Sequence, residues 1–213
     1  MRPNVRLILA ATVALVAQSL ITSAAFGDGQ NVGKVVKARE NNKMLVVYFS
    51  KAGENYNVGD VKTGNTKILA EKIAKQVGAD LFEIAPKIPY PKKYDDCTDF
   101  AKEELRKKAR PEYLGEIENW EQYEVVFFGY PIWWGDLPMP CYTFIEKRDW
   151  NGKKVIPFIT HEGSGASGTP KKLEKSCRGA KILKEFVMTG TQAQKGGAQN
   201  DAKLSDWLKG LKY

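Results

Sequence analysis

The chain has 213 residues, of which 43% are hydrophobic and 27% charged, and its formal net charge is +8. This length can bury a sizeable core within a single domain. The basic residues are spread along the chain and are mixed with acidic ones, as in residues 103–108. Such mixing is typical of solvated helix faces, and it argues against a specific nucleic-acid partner.

The first 27 residues differ in composition from the rest of the chain. Arg2 and Arg6 precede an apolar run at residues 7–17, and small residues follow it. This order is typical of a Sec-type signal peptide. We therefore expect residues 1–27 to direct export, to the periplasm or out of the cell, and to be removed without leaving a stable membrane insertion. An uncleaved membrane anchor is the alternative, and residues 28–42 are expected to form a polar linker.

From residue 43 onward, strand and helix patterns alternate. Five apolar runs predict buried strands, at residues 44–50, 80–85, 124–129, 154–159 and 182–188. Five amphipathic or capped segments predict helices, at residues 66–77, 94–110, 141–148, 170–176 and 200–211. Pro157 cannot donate a backbone hydrogen bond within the fourth strand, which suggests a bulge there. The alternation predicts an α/β domain over residues 43–213, a doubly wound three-layer sandwich around five parallel strands, with ligand loops at the carboxyl ends of the strands.

A turn rich in hydroxyl groups and glycine joins the first strand to the first helix, after a polar insert at residues 51–62. Its residues of interest are Ser50, Thr63, Gly64, Asn65 and Thr66. Free backbone N–H groups and the positive end of the helix dipole suit a phosphate at this place. Residues 59–66 nearly match the P-loop pattern, but Asn65 stands where the lysine is required, which argues against a triphosphate. A plain turn with a helix cap is the alternative.

Two further loops follow predicted strands at the same edge of the sheet, at residues 129–135 and 160–165. The first contains Trp133 and Trp134, which offer large flat surfaces for stacking, although both side chains would belong to the core in the alternative interpretation. The second contains His161, the single histidine of the chain, which is either a candidate for a catalytic proton donor or a structural residue. Three such loops together describe a pocket for a phosphorylated aromatic cofactor.

The three cysteines, Cys97, Cys141 and Cys177, are widely spaced and form no CxxC motif. This spacing supports neither a metal site nor thioredoxin-like chemistry. They are either three buried, unpaired residues or, in an exported protein, one disulfide and one free thiol. The pattern of His, Cys, Asp and Glu shows no ligand spacing for a metal.

Taken together, residues 48–50 with 63–66, residues 129–135 and residues 157–165 resemble the motifs of the flavodoxin-like family, and most of all bacterial flavodoxins with a Trp-Trp second loop. The resemblance covers residues 43–212 and implies a sheet of order 2-1-3-4-5 with non-covalently bound FMN. It implies that Ser50, Thr63, Gly64, Asn65 and Thr66 surround the phosphate. It also implies that the flavin ring is flanked by Tyr130, Pro131, Ile132, Trp133, Trp134, Thr160, His161, Glu162, Gly163, Ser164 and Gly165. The insert at residues 51–62 departs from compact flavodoxins.

The resemblance implies an FMN-binding protein that acts in electron transfer with a redox partner protein, and the expected signal peptide implies that this protein is exported. One alternative is an FMN-dependent oxidoreductase that uses NAD(P)H and a quinone-like acceptor. A second alternative is a binding module that kept the fold without flavin.

Overall fold

The computed structural model describes residues 35–36 and 43–213. The expected signal peptide and nearly all of the expected linker lie outside these residues. Five parallel strands form the central sheet, and their spatial order is β2-β1-β3-β4-β5, which confirms the predicted order 2-1-3-4-5. The strands are β1 (Met44–Tyr48), β2 (Asp80–Glu83), β3 (Val125–Pro131), β4 (Lys154–His161) and β5 (Phe186–Thr189).

Helices cover both faces of the sheet and give the predicted three-layer sandwich. On one face, Leu69 of the first helix and Leu204 of the last pack with Phe127. On the other face, Phe144 and Leu173 pack around the opposite side of β3. The helices are α1 (Asn65–Val77), α2 (Tyr94–Lys107), α3 (Met139–Glu146), α4 (Thr169–Ser176), α5 (Gly190–Lys195) and α6 (Ala198–Gly210).

Strand β1 shows why its sequence is a continuous apolar run. Leu45 and Val47 belong to the core on one face of the sheet, and Val46 and Tyr48 belong to the core on the other. All four are buried because helices cover both faces. Successive side chains of a strand point to opposite faces, so a strand buried on both sides needs apolar residues at every position.

Pro157 lies in β4 but interrupts the pairing of the fifth strand, and β4 itself is continuous. The pairing of β4 with β3 runs in continuous register, with Pro157 opposite Phe128, so the predicted bulge in β4 is wrong. The fifth strand, in contrast, pairs with β4 in two pieces, Lys181–Ile182 and then β5. The carbonyl of Val155 accepts from the N–H of Leu183 at 2.8 Å. Since backbone groups of every second residue in β4 point to the same neighbour, the backbone nitrogen of Pro157 also faces the fifth strand. Proline has no N–H to donate there, and the pairing is broken at that point.

Short elements complete the described chain. The insert after β1, for which the sequence predicts only a polar segment, forms an antiparallel hairpin of Gly53–Asn55 with Gly59–Val61. Two other short pairs and a 3₁₀ helix lie outside the central sheet, namely Ala85–Pro86 with Tyr113–Leu114, Val35–Val36 with Glu116–Ile117, and Trp120–Gln122.

The three cysteines are buried and unpaired, which agrees with the first of the two interpretations above. Within residues 43–213 and 35–36, His, Cys, Asp and Glu side chains form no group that could hold a metal ion. In the same part of the chain, every helix is too short or too polar to cross a membrane.

Candidate functional site

A pocket of about 280 Å³ opens at the carboxyl ends of β3 and β4, beside the start of α1. All three loops singled out in the sequence contribute to its wall. The predicted site residues that line it are Asn65, Pro131, Ile132, Trp133, Trp134, Thr160, His161, Glu162 and Ser164. The sheet edge thus brings together residues that are almost 100 positions apart in the chain.

The remaining predicted residues lie outside the lining of the pocket. They are Ser50, Thr63, Gly64, Thr66, Tyr130, Gly163 and Gly165. Tyr130 is fully buried, and its hydroxyl donates to Thr169 Oγ1 at 3.1 Å. It is buried because β3 continues to Pro131, so Tyr130 is a strand residue rather than a loop residue.

The turn before α1 is held in one conformation by its neighbours. A Cβ atom on Gly64 would lie 2.3 Å from Ser50 Oγ and 2.5 Å from the carbonyl oxygen of Lys51, so only glycine fits. Ser50 Oγ accepts from the N–H of Lys67 at 3.1 Å. The first helical turn of α1 contains no acidic residue, and its earliest amides have no acceptor within the helix. The turn therefore presents positive potential in a fixed geometry.

Helix α5 supports this turn from the side. Gln194 Nε2 donates to the carbonyl of Thr63 at 2.7 Å and to Asn65 Oδ1 at 2.8 Å. Gly190 also leaves no room for a side chain, since a Cβ atom there would lie 2.1 Å from Asn65 Nδ2. Asn65 is thus positioned at the pocket by contacts made behind it.

Trp133 and Trp134 are adjacent in sequence but lie in different surroundings. The ring of Trp133 packs edge-on against Phe49 and Tyr90, with centroid distances of 5.1 and 4.9 Å. The ring of Trp134 is 51% exposed, and its indole N–H donates to the carbonyl of Thr98 at 2.9 Å. The structure therefore excludes the interpretation that both tryptophans belong to the core.

The third loop folds around His161. The imidazole Nδ1 accepts the N–H groups of Gly163 at 2.9 Å and Gly165 at 3.1 Å. Burial lowers the pKa of His161, opposed by the nearby charge of Glu162. A ring nitrogen that accepts two amides carries no proton, so the neutral imidazole has its proton on Nε2. The amides of Gly163 and Gly165, two residues that the resemblance places beside the flavin ring, therefore face His161.

Glu162 is fixed rather than freely solvated. Its carboxylate accepts from the backbone N–H of Thr191 at 2.6 Å and from the Thr191 hydroxyl at 3.1 Å. Both contacts lie in the first turn of α5, where a negative charge is favourable. We infer a structural role for this side chain, joining the third loop to α5.

Sequence reasoning missed one whole wall of the pocket. Its residues come from the hairpin and from α2, and they are Lys51, Glu54, Asn55, Tyr56, Tyr94, Cys97, Thr98 and Ala101. Burial raises the pKa of the Cys97 thiol, so this thiol is protonated at neutral pH. The available signal was the position of the insert directly after β1, at the ligand edge of the sheet.

A family model and similar solved structures assign the chain to the same family. A family model described as flavodoxin matches residues 43–209. A solved structure assigned as a flavoprotein, from Bacteroides eggerthii DSM 20697, is 32% identical with a TM-score of 0.63, over 79% of this chain and 97% of that one. A similar protein from Bacteroides uniformis ATCC 8492 is 26% identical with a TM-score of 0.62, over 80% and 99% of the two chains.

A more distant structure has the same fold. The flavoprotein from Lactobacillus acidophilus NCFM, solved in complex with FMN, is 19% identical with a TM-score of 0.58, over 78% of this chain and 99% of that one. No curated protein matches the chain significantly.

Proposed function

The chain belongs to the flavodoxin family, and on that premise we propose that it binds FMN non-covalently and transfers electrons as an exported protein. The observation that carries the proposal is the pocket itself, which joins the start of α1 to the tryptophan loop and to the end of β4. The fold shared with a flavoprotein solved in complex with FMN supports the same ligand.

The residues at the start of α1 fit a phosphate monoester. Only glycine fits at position 64, where a Cβ atom would meet Ser50 Oγ and the carbonyl oxygen of Lys51, so the turn keeps one conformation. The amides of Asn65 and Thr66 lie at the positive end of the helix dipole, and the first turn carries no carboxylate that would repel an anion. These groups would hold the phosphate of FMN.

The other end of the pocket fits a flat aromatic ring system. Trp134 presents an exposed indole, and Pro131 and Ile132 add apolar surface beside it. Bound FMN would supply the redox chemistry, since it accepts and releases electrons singly or in pairs. The protein residues would exclude water from the ring and set its orientation.

His161 would hold a proton at the edge of this ring site. Its Nδ1 is occupied by two backbone amides, so Nε2 is the nitrogen that carries the proton. The lowered pKa keeps the side chain neutral at physiological pH. We propose His161 as a fixed neutral hydrogen-bond donor to the bound ligand, rather than as a charged group.

A second candidate function is an oxidoreductase that takes electrons from NAD(P)H and passes them to a quinone-like acceptor. A reductase needs room for a substrate next to the flavin, whereas a carrier that docks to protein partners does not. The wall formed by the hairpin and by α2 extends the pocket beyond the loops that carry the flavin motifs. That extension is the observation that favours the reductase.

The test of the cofactor is retention of flavin. The purified protein is incubated with FMN or with riboflavin, desalted, and measured by visible absorbance. We expect FMN to be retained and riboflavin, which lacks the phosphate, to be retained far less. A colourless protein after incubation with FMN would overturn the proposal and favour a flavin-free binding module.

The second measurement separates the two redox functions. Adding NADPH to the FMN-loaded protein without oxygen should leave the flavin absorbance unchanged for a carrier, because a carrier is reduced by a protein partner. Rapid bleaching would instead identify a reductase.

Export is tested on the full chain expressed in a bacterial host. We expect the protein in the periplasmic or secreted fraction, with a new amino terminus near residue 28 by amino-terminal sequencing. Recovery of intact protein with Met1 in the cytoplasmic fraction would contradict export.

A further inference from the structure

Exposed aromatic side chains converge on the mouth of the pocket. Tyr56 is 54% exposed, Tyr94 37% and Trp134 51%, and all three line the pocket. The rings of Tyr56 and Tyr94 lie 5.8 Å apart with an interplanar angle of 32°. Large aromatic groups left in water around a concave site are typical of ligand-binding surfaces.

The hairpin that carries Tyr56 is docked firmly on the start of α2. The backbone N–H of Glu54 donates to the carbonyl of Lys92 at 3.0 Å, and the Glu54 carboxylate accepts from the N–H of Tyr94 at 2.9 Å. A Cβ atom on Gly53 would lie 2.9 Å from the carbonyl oxygen of Lys92, at φ +89°. These contacts hold Tyr56 beside Tyr94 before any ligand arrives, which lowers the entropic cost of binding.

The side chains of Lys51 and Asn55 in this wall already donate to backbone carbonyls of the insert and of Lys92. Lys51 Nζ donates to the carbonyls of Glu54 and Lys92, at 3.0 and 3.2 Å. Asn55 Nδ2 donates to the carbonyl of Gly53 at 2.9 Å. What the wall offers to a ligand is therefore mainly aromatic surface, which suits a flat uncharged ring better than a dinucleotide with its phosphates.

The wall is also separate from the flavin motifs. It is built by the hairpin and by α2, while the start of α1 and the loops at 131–134 and 160–164 build the rest of the pocket. We propose that Tyr56 and Tyr94 form a second subsite of the pocket, bordered by Trp134 of the flavin site, which binds a planar, uncharged aromatic compound of the quinone class next to the flavin. This inference rests on the proposed FMN site and specifies the acceptor that the site would serve.

The test is equilibrium binding rather than turnover. The FMN-loaded, oxidised protein is titrated with 2,3-dimethyl-1,4-naphthoquinone by calorimetry, since the substituted ring does not alkylate the thiol of Cys97. We expect Tyr56→Ala to bind this quinone about tenfold more weakly than the wild type. We expect its FMN dissociation constant to change less than about twofold. Phe100→Ala is the matched control, because Phe100 is 45% exposed on α2 but lies outside the lining of the pocket.

The outcomes separate the subsite from the cofactor site. Equal quinone affinity in the wild type and Tyr56→Ala would overturn the subsite. A loss of FMN affinity without a loss of quinone affinity would also overturn it, because Tyr56 would then belong to the flavin site. A wild type that retains no FMN would overturn the proposed function, and the same titration on that protein would still decide the subsite. Tyr94→Ala provides a second variant on the other side of the ring pair, with the same expected loss.

Discussion

The hydroxyl groups of Thr66 and Thr160 lie 2.7 Å apart and are both buried. Thr66 lies in the first turn of α1, and Thr160 lies near the end of β4. The pair therefore ties the phosphate-type turn to the strand that leads into the third loop. The Thr66 hydroxyl, which the sequence assigned to the phosphate, is used to hold two parts of the site together.

Thr66→Val should lower the free energy of unfolding by about 1–3 kcal/mol, because it leaves the Thr160 hydroxyl buried without its partner. The double variant Thr66→Val with Thr160→Val should lose less unfolding free energy than the two single variants lose together, since neither hydroxyl is then left without its partner. Urea denaturation of the three variants measures both effects. Strict additivity of the two single losses would contradict the pairing.

Gly64→Ala should destabilise the protein and abolish tight FMN binding. The methyl group would lie 2.3 Å from Ser50 Oγ and 2.5 Å from the Lys51 carbonyl oxygen, so the turn must open to accept it. Gly210→Ala is the matched control, because a Cβ atom there meets nothing within 4 Å. The readouts are the urea midpoint and the flavin absorbance retained after desalting. Tight FMN binding by Gly64→Ala would show that the turn does not hold the phosphate.

The alternation of strands and helices and the three loops were predictable because each depends on local patterns, whereas the strand order was implied by the resemblance to the flavodoxin-like family. Continuous apolar runs mark strands buried on both faces, and the turns that follow such strands meet at one edge of a parallel sheet. Tyr130 was assigned to a loop because the motif around it was considered alone. Its burial depends on how far β3 continues beside its neighbours, which the local pattern does not show.

The hairpin illustrates what local patterns leave out. Residues 51–62 are polar and lack the apolar alternation that would mark paired strands. Their structure depends on contacts with the carbonyl of Lys92 and the N–H of Tyr94, which lie about 40 residues further along the chain. The break in the fifth strand is similar, because Pro157 acts on a strand that follows it by more than 20 residues.

The two adjacent tryptophans should respond differently to truncation. Trp133→Ala removes a ring packed between Phe49 and Tyr90, and we expect a loss of about 2 kcal/mol in the free energy of unfolding. Trp134→Ala removes an exposed ring and one hydrogen bond to Thr98, and should cost less than about 1 kcal/mol. Chemical denaturation gives both values.

Flavin affinity provides the complementary measurement for Trp134. The variant Trp134→Ala should bind FMN or the quinone more weakly although its fold is intact, because its exposed indole lines the pocket. Unchanged affinity for both ligands would place Trp134 outside the functional surface.

His161 should make stability depend on pH in the weakly acidic range. Its folded-state pKa lies below the ordinary value of 6.5, because burial outweighs the opposing charge of Glu162. The unfolded chain therefore binds more protons between the two pKa values. The contribution of His161 is fully present above about pH 6.5 and is lost as the pH falls through the folded-state pKa.

The single histidine allows a direct measurement. The imidazole C2–H resonance should titrate with a pKa below 6.5 in the folded protein, by proton NMR. In His161→Asn, the amide oxygen can still accept from Gly163 and Gly165 but does not titrate. This variant should therefore lose less stability than the wild type between neutral pH and about pH 5. If the two proteins show the same pH dependence in urea denaturation, the titration of His161 does not control stability in this pH range.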